Sequence, residues 1–161
     1  MAPWLAASRR YVFASALGHI AWEALQLPLY TIWFEGTAAQ IAFAVVHCTG
    51  GDILIATATL IAAVLMFGRG WPAEQSAFRN VAIAAMTFGI GYTVFSEWLN
   101  VNIRAAWAYS PWMPQLPPLG TGLSPMLQWI FVPLGAFAWA RAGSTSVGSV
   151  KRPPKLESGD R

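Results

Sequence analysis

Apolar residues recur along this chain in four long runs, divided by short stretches rich in Gly, Pro and charge. The first run, Tyr11 to Phe34, holds about two dozen residues, enough to cross a bilayer as a helix. Within it His19, Glu23, Gln26 and Tyr30 fall at i, i+4, i+7 and i+11, one stripe of a 3.6-residue helix. Pro28 should kink or loosen this helix and free the carbonyl of Ala24. Glu35-Gly36 reads as a tight turn. Thr37-Ala38-Ala39-Gln40 then has capping-box spacing and starts a second helix running to about Phe67. On a regular helix its His47 and Asp52 point about 140° apart. The Gly50-Gly51 pair between them allows a local break or a close helix neighbour.

Gly68 to Arg79 is a polar hinge, and a third run covers Val81 to Val101. Its end carries a second polar stripe, Thr93, Glu97, Asn100 and Arg104, flanked by Tyr92 and Ser96. Ala105 to Gly122 is too broken by Pro111, Pro114, Pro117 and Pro118 to span, and its aromatic residues predict an ordered lid at the membrane interface over Trp107–Leu119. Ser124-Pro125 has the form of an N-cap followed by Pro at the first helical position. The fourth run, Leu123 to about Ala140, holds one strongly polar residue, Gln128. The predicted fold is all-α: a four-helix transmembrane bundle over residues 1–142, with residues 143–161 as a disordered cytoplasmic tail.

Composition agrees with a membrane chain. Hydrophobic residues make up 56% and charged residues 11% of 161, against about 25% charge in soluble domains. Nine Trp fit interfacial belts. Cys48 is the single cysteine, so no intrachain disulfide can form. A basic lead ending in Arg9-Arg10 raises a signal peptide as the rival reading; His19 and Glu23 interrupt its apolar core and no small-x-small site closes it. Nine of the ten Lys and Arg residues lie in the N-terminus, the second loop and the C-terminal segment, and Arg104 alone falls on the other side. The positive-inside rule therefore predicts four spans with both termini cytoplasmic, in an inner or plasma membrane. Nothing reads as a nucleic-acid surface, and a homo-oligomer is left open.

Ionisable groups at membrane depth cost roughly 2.5–3.5 kcal/mol each when they face lipid, so these must face protein, water or ligand. At 1.5 Å per residue, His19 and Glu23 lie roughly 12 and 18 Å in from the cytoplasmic edge, and Asp52, Glu97 and Gln128 fall in the middle or outer part of their helices. A polar pocket opening away from the cytoplasm is expected. Its candidate catalytic groups are Glu23, His19, Asp52 and Glu97. Candidate ligand contacts are Gln26, Tyr30, His47, Tyr92, Trp98, Asn100 and Gln128. The bland alternative is helix glue, with Glu97 paired to Arg104 and Gln128 bonded to Asn100. Three functional classes fit: an intramembrane enzyme or binder for a lipid or other apolar small molecule, a haem or metal protein using the two His, and a transport or accessory subunit with a carboxylate path. The sequence names no cofactor and assigns no metal ligand.

His19-x-x-x-Glu23 resembles the first core helix of the EXPERA family, which includes sterol double-bond isomerases and sigma-2-type receptors. Gly91-Tyr92-Thr93-Val94-Phe95-Ser96-Glu97 is similar to that family's aromatic-rich third helix with its acidic residue, and Gln128-Trp129-Ile130-Phe131-Val132-Pro133 to its last, where Gln stands in place of Asn. Asp52 matches the family's second-helix acidic residue loosely. The resemblance implies four core helices with cytoplasmic ends and a double-bond shift. In it Glu23 would be the first acid or base and His19 its relay.

Overall fold

A computed structural model describes residues 2–145. Helix α1 spans Pro3–Gln26, α2 Ile32–Glu35, α3 Ala38–Phe67, α4 Gln75–Glu97 and α5 Leu123–Thr145. The four long helices form a ring in which α1 packs on α3 and α5, and α4 packs on the same two. Three helical segments are long and apolar enough to cross a membrane: Ala38–Phe67, Gln75–Ile103 and Leu123–Ala142. Helix α1, which carries Arg9, Arg10, His19 and Glu23, is not among them.

The first run differs from its expected form. Its helix begins at Pro3, whose missing N–H costs nothing at a helix start, so Arg9 and Arg10 are helical. It ends at Gln26 and does not reach Phe34, because Leu27–Leu29 tightens into a 3-10 turn around Pro28. Tyr30 is extended, with φ −120° and ψ 148°, and so leaves the stripe that His19, Glu23 and Gln26 keep. The Pro28 carbonyl accepts from Ser110 Oγ at 2.9 Å.

Helix α3 starts as its capping box requires: Thr37 accepts from Gln40 N–H at 3.3 Å while the Gln40 side chain accepts from Thr37 N–H at 2.8 Å. It runs unbroken through Gly50-Gly51. No neighbour approaches either glycine, so the expected break and the expected close packing are both absent there. Close approaches occur at Gly18, where a Cβ would stand 2.7 Å from Val132 Cγ1, and at Gly89, where it would overlap the Trp129 ring. We therefore expect Gly89→Ala to lower stability by about 1–3 kcal/mol through overpacking. Gly91→Ala, with open space at its Cβ, should be neutral or slightly stabilising. Thermal unfolding in detergent checks both; an unchanged Gly89→Ala would mean that Trp129 can swing aside.

Two halves of the bundle differ in chemistry. The end where α1 starts and α3 and α5 finish is filled by Tyr11, Leu60, Trp71, Phe78 and Phe137, with Tyr11 and Phe137 ring centroids 4.3 Å apart. The interior toward the opposite end is polar. Outside, the surface is apolar: Leu25, Leu54 and Leu65 are each at least 70% exposed, as lipid-facing residues would be.

Helix α4 continues as a π-helical turn over Trp98–Ile103. The Pro-rich segment after it is tied down by backbone bonds. Tyr109 bridges Tyr30 through Thr31 N–H to Ala108 O at 3.0 Å and Ser110 N–H to Leu29 O at 2.9 Å. Strand β1 (Gln115–Leu116) pairs antiparallel with β2 (Thr121–Gly122), and Trp112 meets Phe34 edge-on. The expected tail beyond Thr145 lies outside the described residues.

Candidate functional site

Three helices aim polar side chains at one point. Gln128 of α5 places Nε2 at 3.0 Å from His19 Nδ1, 3.0 Å from Glu23 Oε1 and 3.0 Å from Asp52 Oδ2. The two carboxylate oxygens therefore lie within 6.0 Å of each other, the sum of those two distances. His19 Nδ1 is 3.4 Å from Asp52 Oδ2. His19 is wholly buried, and Asp52 is 14% exposed.

The cluster follows from helix periodicity. His19, Glu23 and Gln26 share a face of α1, and Gln128 and Ser124 lie one turn apart on α5. Gln26 Nε2 donates to Glu23 Oε1 at 2.8 Å, Ser124 Oγ to Gln26 Oε1 at 2.8 Å, and Trp22 Nε1 to Ser124 Oγ at 3.1 Å. Ser124 thus spends its hydroxyl across to α1, where the sequence reads it as a cap. The Trp129 ring, seated over Gly89, stands 5.1 Å from the His19 ring.

An amide NH₂ carries two hydrogens, and here it faces three acceptor-capable atoms. Its two hydrogens can serve two of the three contacts, and His19 in its Nδ1–H form can direct its own hydrogen to Asp52 Oδ2 at 3.4 Å. With both carboxyls ionised, a flipped amide would set its oxygen against two anions, which favours the orientation with Nε2 toward them. The arrangement can hold and relay a proton across α1, α3 and α5. Beside it, Ser15 Oγ, His19 Nε2 and Thr49 Oγ1 are buried without a hydrogen-bond partner among the described residues.

Glu97 sits in a second cluster. Tyr109 of the Pro-rich segment donates its hydroxyl to Glu97 Oε2 and accepts from Gly122 N–H at 2.9 Å. Burial and the Glu97 carboxyl push the Tyr109 phenol well above its ordinary range, so it stays a donor. The Trp107 indole N–H lies beside Glu97 outside hydrogen-bond geometry. Tyr30 is within electrostatic reach of Glu23 and Glu97, and Cys48 within reach of Glu23, Asp52 and Glu97. The three carboxyls share one polar interior without all touching.

The remaining candidates are placed elsewhere. His47 is exposed and stacks on Phe43 at 5.3 Å, pointing outward, so it and His19 do not face each other across a haem-sized gap. Tyr92 is 49% exposed. Asn100 donates to Ser96 O of its own helix at 2.9 Å, and Trp98 contacts Phe95. The expected glue pairs do not form: Arg104 is exposed, Glu97 bonds Tyr109, and Gln128 bonds the α1–α3 cluster. Among the described residues no three His, Cys, Asp or Glu are grouped to hold a metal ion.

Sequence reasoning missed Tyr109, Ser124, Trp22 and Trp129 as site residues. Ser124 was findable from its i, i+4 spacing to Gln128. Tyr109 was not, because it reaches the site through a loop with no periodicity. No family model, no curated protein and no solved structure matches the chain.

Proposed function

We propose that this is a four-span membrane protein whose buried His19–Glu23–Asp52–Gln128 cluster binds a small apolar or lipid-like molecule and exchanges a proton with it. The convergence of three helices' polar groups on Gln128 Nε2 carries this reading. A proton-holding network inside an apolar exterior is costly unless it serves a ligand or a proton path. Helix α1 is taken as the fourth span: its 24 residues reach about 36 Å, and it packs between the apolar α3 and α5. With five arginines at one end of the bundle, that end is assigned to the cytoplasm and the lid to the opposite face. A reporter fused after Arg69 should read cytoplasmic and one near Gln115 the opposite side; a reversed result removes the pocket's sidedness.

The resemblance to EXPERA isomerases supplies a specific chemistry for this site. One carboxylic acid would protonate an alkene carbon, the resulting carbocation would be balanced by the second carboxylate and aromatic faces, and a base would take a proton from the neighbouring carbon. The double bond moves and no net proton is consumed. Mass spectrometry of protein purified in mild detergent tests the binding reading: an apolar compound should accompany the wild-type chain and be lost from Glu23→Gln. No retained compound in either protein would leave the carboxylate path of a transport subunit as the better account.

A further inference from the structure

Far from the polar cluster, α4 and α5 leave between them a groove of about 660 Å³ at the Arg-rich end. Ala82, Met86, Leu134 and Phe137 give it an apolar lining, and Arg79 and Arg141 both border it. Because α4 and α5 run antiparallel, the two arginines share one end, and Met86 and Leu134 share the other, about 10 Å along the helices.

The arginines are differently held. The Arg141 guanidinium lies 5.3 Å above the Phe78 ring and donates to Gln75 Oε1, which fixes it in place. Arg79 is exposed and has no hydrogen bond or ion pair to any described residue. Two guanidinium groups, one fixed and one free to close, suit a phosphate, whose oxygens accept their paired N–H donors. The groove beneath is apolar, laterally open, and lies between two helices long enough to cross a membrane. A basic mouth above such a groove is complementary to a charged headgroup joined to an acyl chain. A comparable groove of about 680 Å³ between α1 and α3 has one arginine, Arg9, in its lining.

We propose that the α4–α5 groove binds an anionic glycerophospholipid, its phosphate held by Arg79 and Arg141 and one acyl chain lying over Ala82 toward Met86. The test is native mass spectrometry of the full chain with phosphatidylglycerol or phosphatidylcholine. Each surface-held arginine should contribute about fivefold in retention, so wild type should prefer phosphatidylglycerol by roughly 25-fold, and Arg79→Gln with Arg141→Gln should abolish the preference. Ala138→Phe, which fills the groove from an exposed position and leaves both charges, should lower phosphatidylglycerol retention without changing the unfolding temperature. Equal retention of both lipids by wild type overturns the proposal. So does retention that ignores Ala138→Phe, which would mark the lipid as annular, or inorganic phosphate competing as well as phosphatidylglycerol, which would mark a simple anion site.

Discussion

Gln128→Leu should lower the stability of the protein by about 3 kcal/mol, the largest loss expected from a single side chain of similar size. Hydrogen bonds between membrane helices average only about 0.6 kcal/mol, so three average bonds would account for about 2 kcal/mol. The remainder comes from what the substitution leaves behind. Asp52 Oδ2 then keeps His19 of α1 at 3.4 Å, and the leucine supplies no donor in place of the lost amide. Glu23 suffers less, because Gln26 still donates to it at 2.8 Å. Adding Asp52→Leu to Gln128→Leu should therefore cost less than the two single changes summed, since the second removes the acceptor that the first stranded. Thermal or denaturant unfolding of all three variants in one detergent decides it. A loss under about 1 kcal/mol for Gln128→Leu, or strict additivity, would mean that the three helices are held by packing and that the cluster is incidental.

Glu23→Gln should do the opposite, keeping the fold and removing the function. The amide retains an oxygen for Gln26 and Gln128 to donate to, so stability should stay within about 1 kcal/mol of wild type. It cannot give up or accept a proton at that oxygen. General acid–base groups contribute roughly 10²–10⁴-fold, so turnover should fall by at least about 100-fold, together with loss of any co-purified apolar ligand. Glu97→Gln should be milder in that assay, because Glu97 engages Tyr109 of the Pro-rich segment and does not touch the Gln128 cluster. An unfolded Glu23→Gln, or one with full ligand retention, would transfer Glu23 to the role of helix glue.

The run lengths and the apolar excess made the helices legible. The start of the helix after Thr37 could be placed to the residue, since a capping box is a local signal that fixes where backbone groups find partners. His19, Glu23 and Gln26 could be grouped for the same kind of reason: a helix has one period, and spacing alone puts residues on one face. Tyr30 broke that rule because the helix stops at Gln26 and Leu27–Leu29 tightens around Pro28 before it.

Partners across helices were not legible, because rotation of one helix about its axis relative to another leaves no mark on local spacing. His47 and Asp52 looked equally eligible for the pocket; packing of α3 against α1 turned Asp52 inward and left His47 against Phe43 on the outside. Gln128 looked like a lone polar residue on an apolar helix; the seating of α5, with Trp129 over Gly89 and Val132 against Gly18, aims it at His19, Glu23 and Asp52. Tyr109 finds Glu97 because Ser110 and Ala108 bond the chain around Pro28, a contact between loops far apart in sequence. Local composition settles which segments become helices, since each satisfies its own backbone. The site depends on side-chain volumes meeting between helices, and those are decided only when all four are packed together.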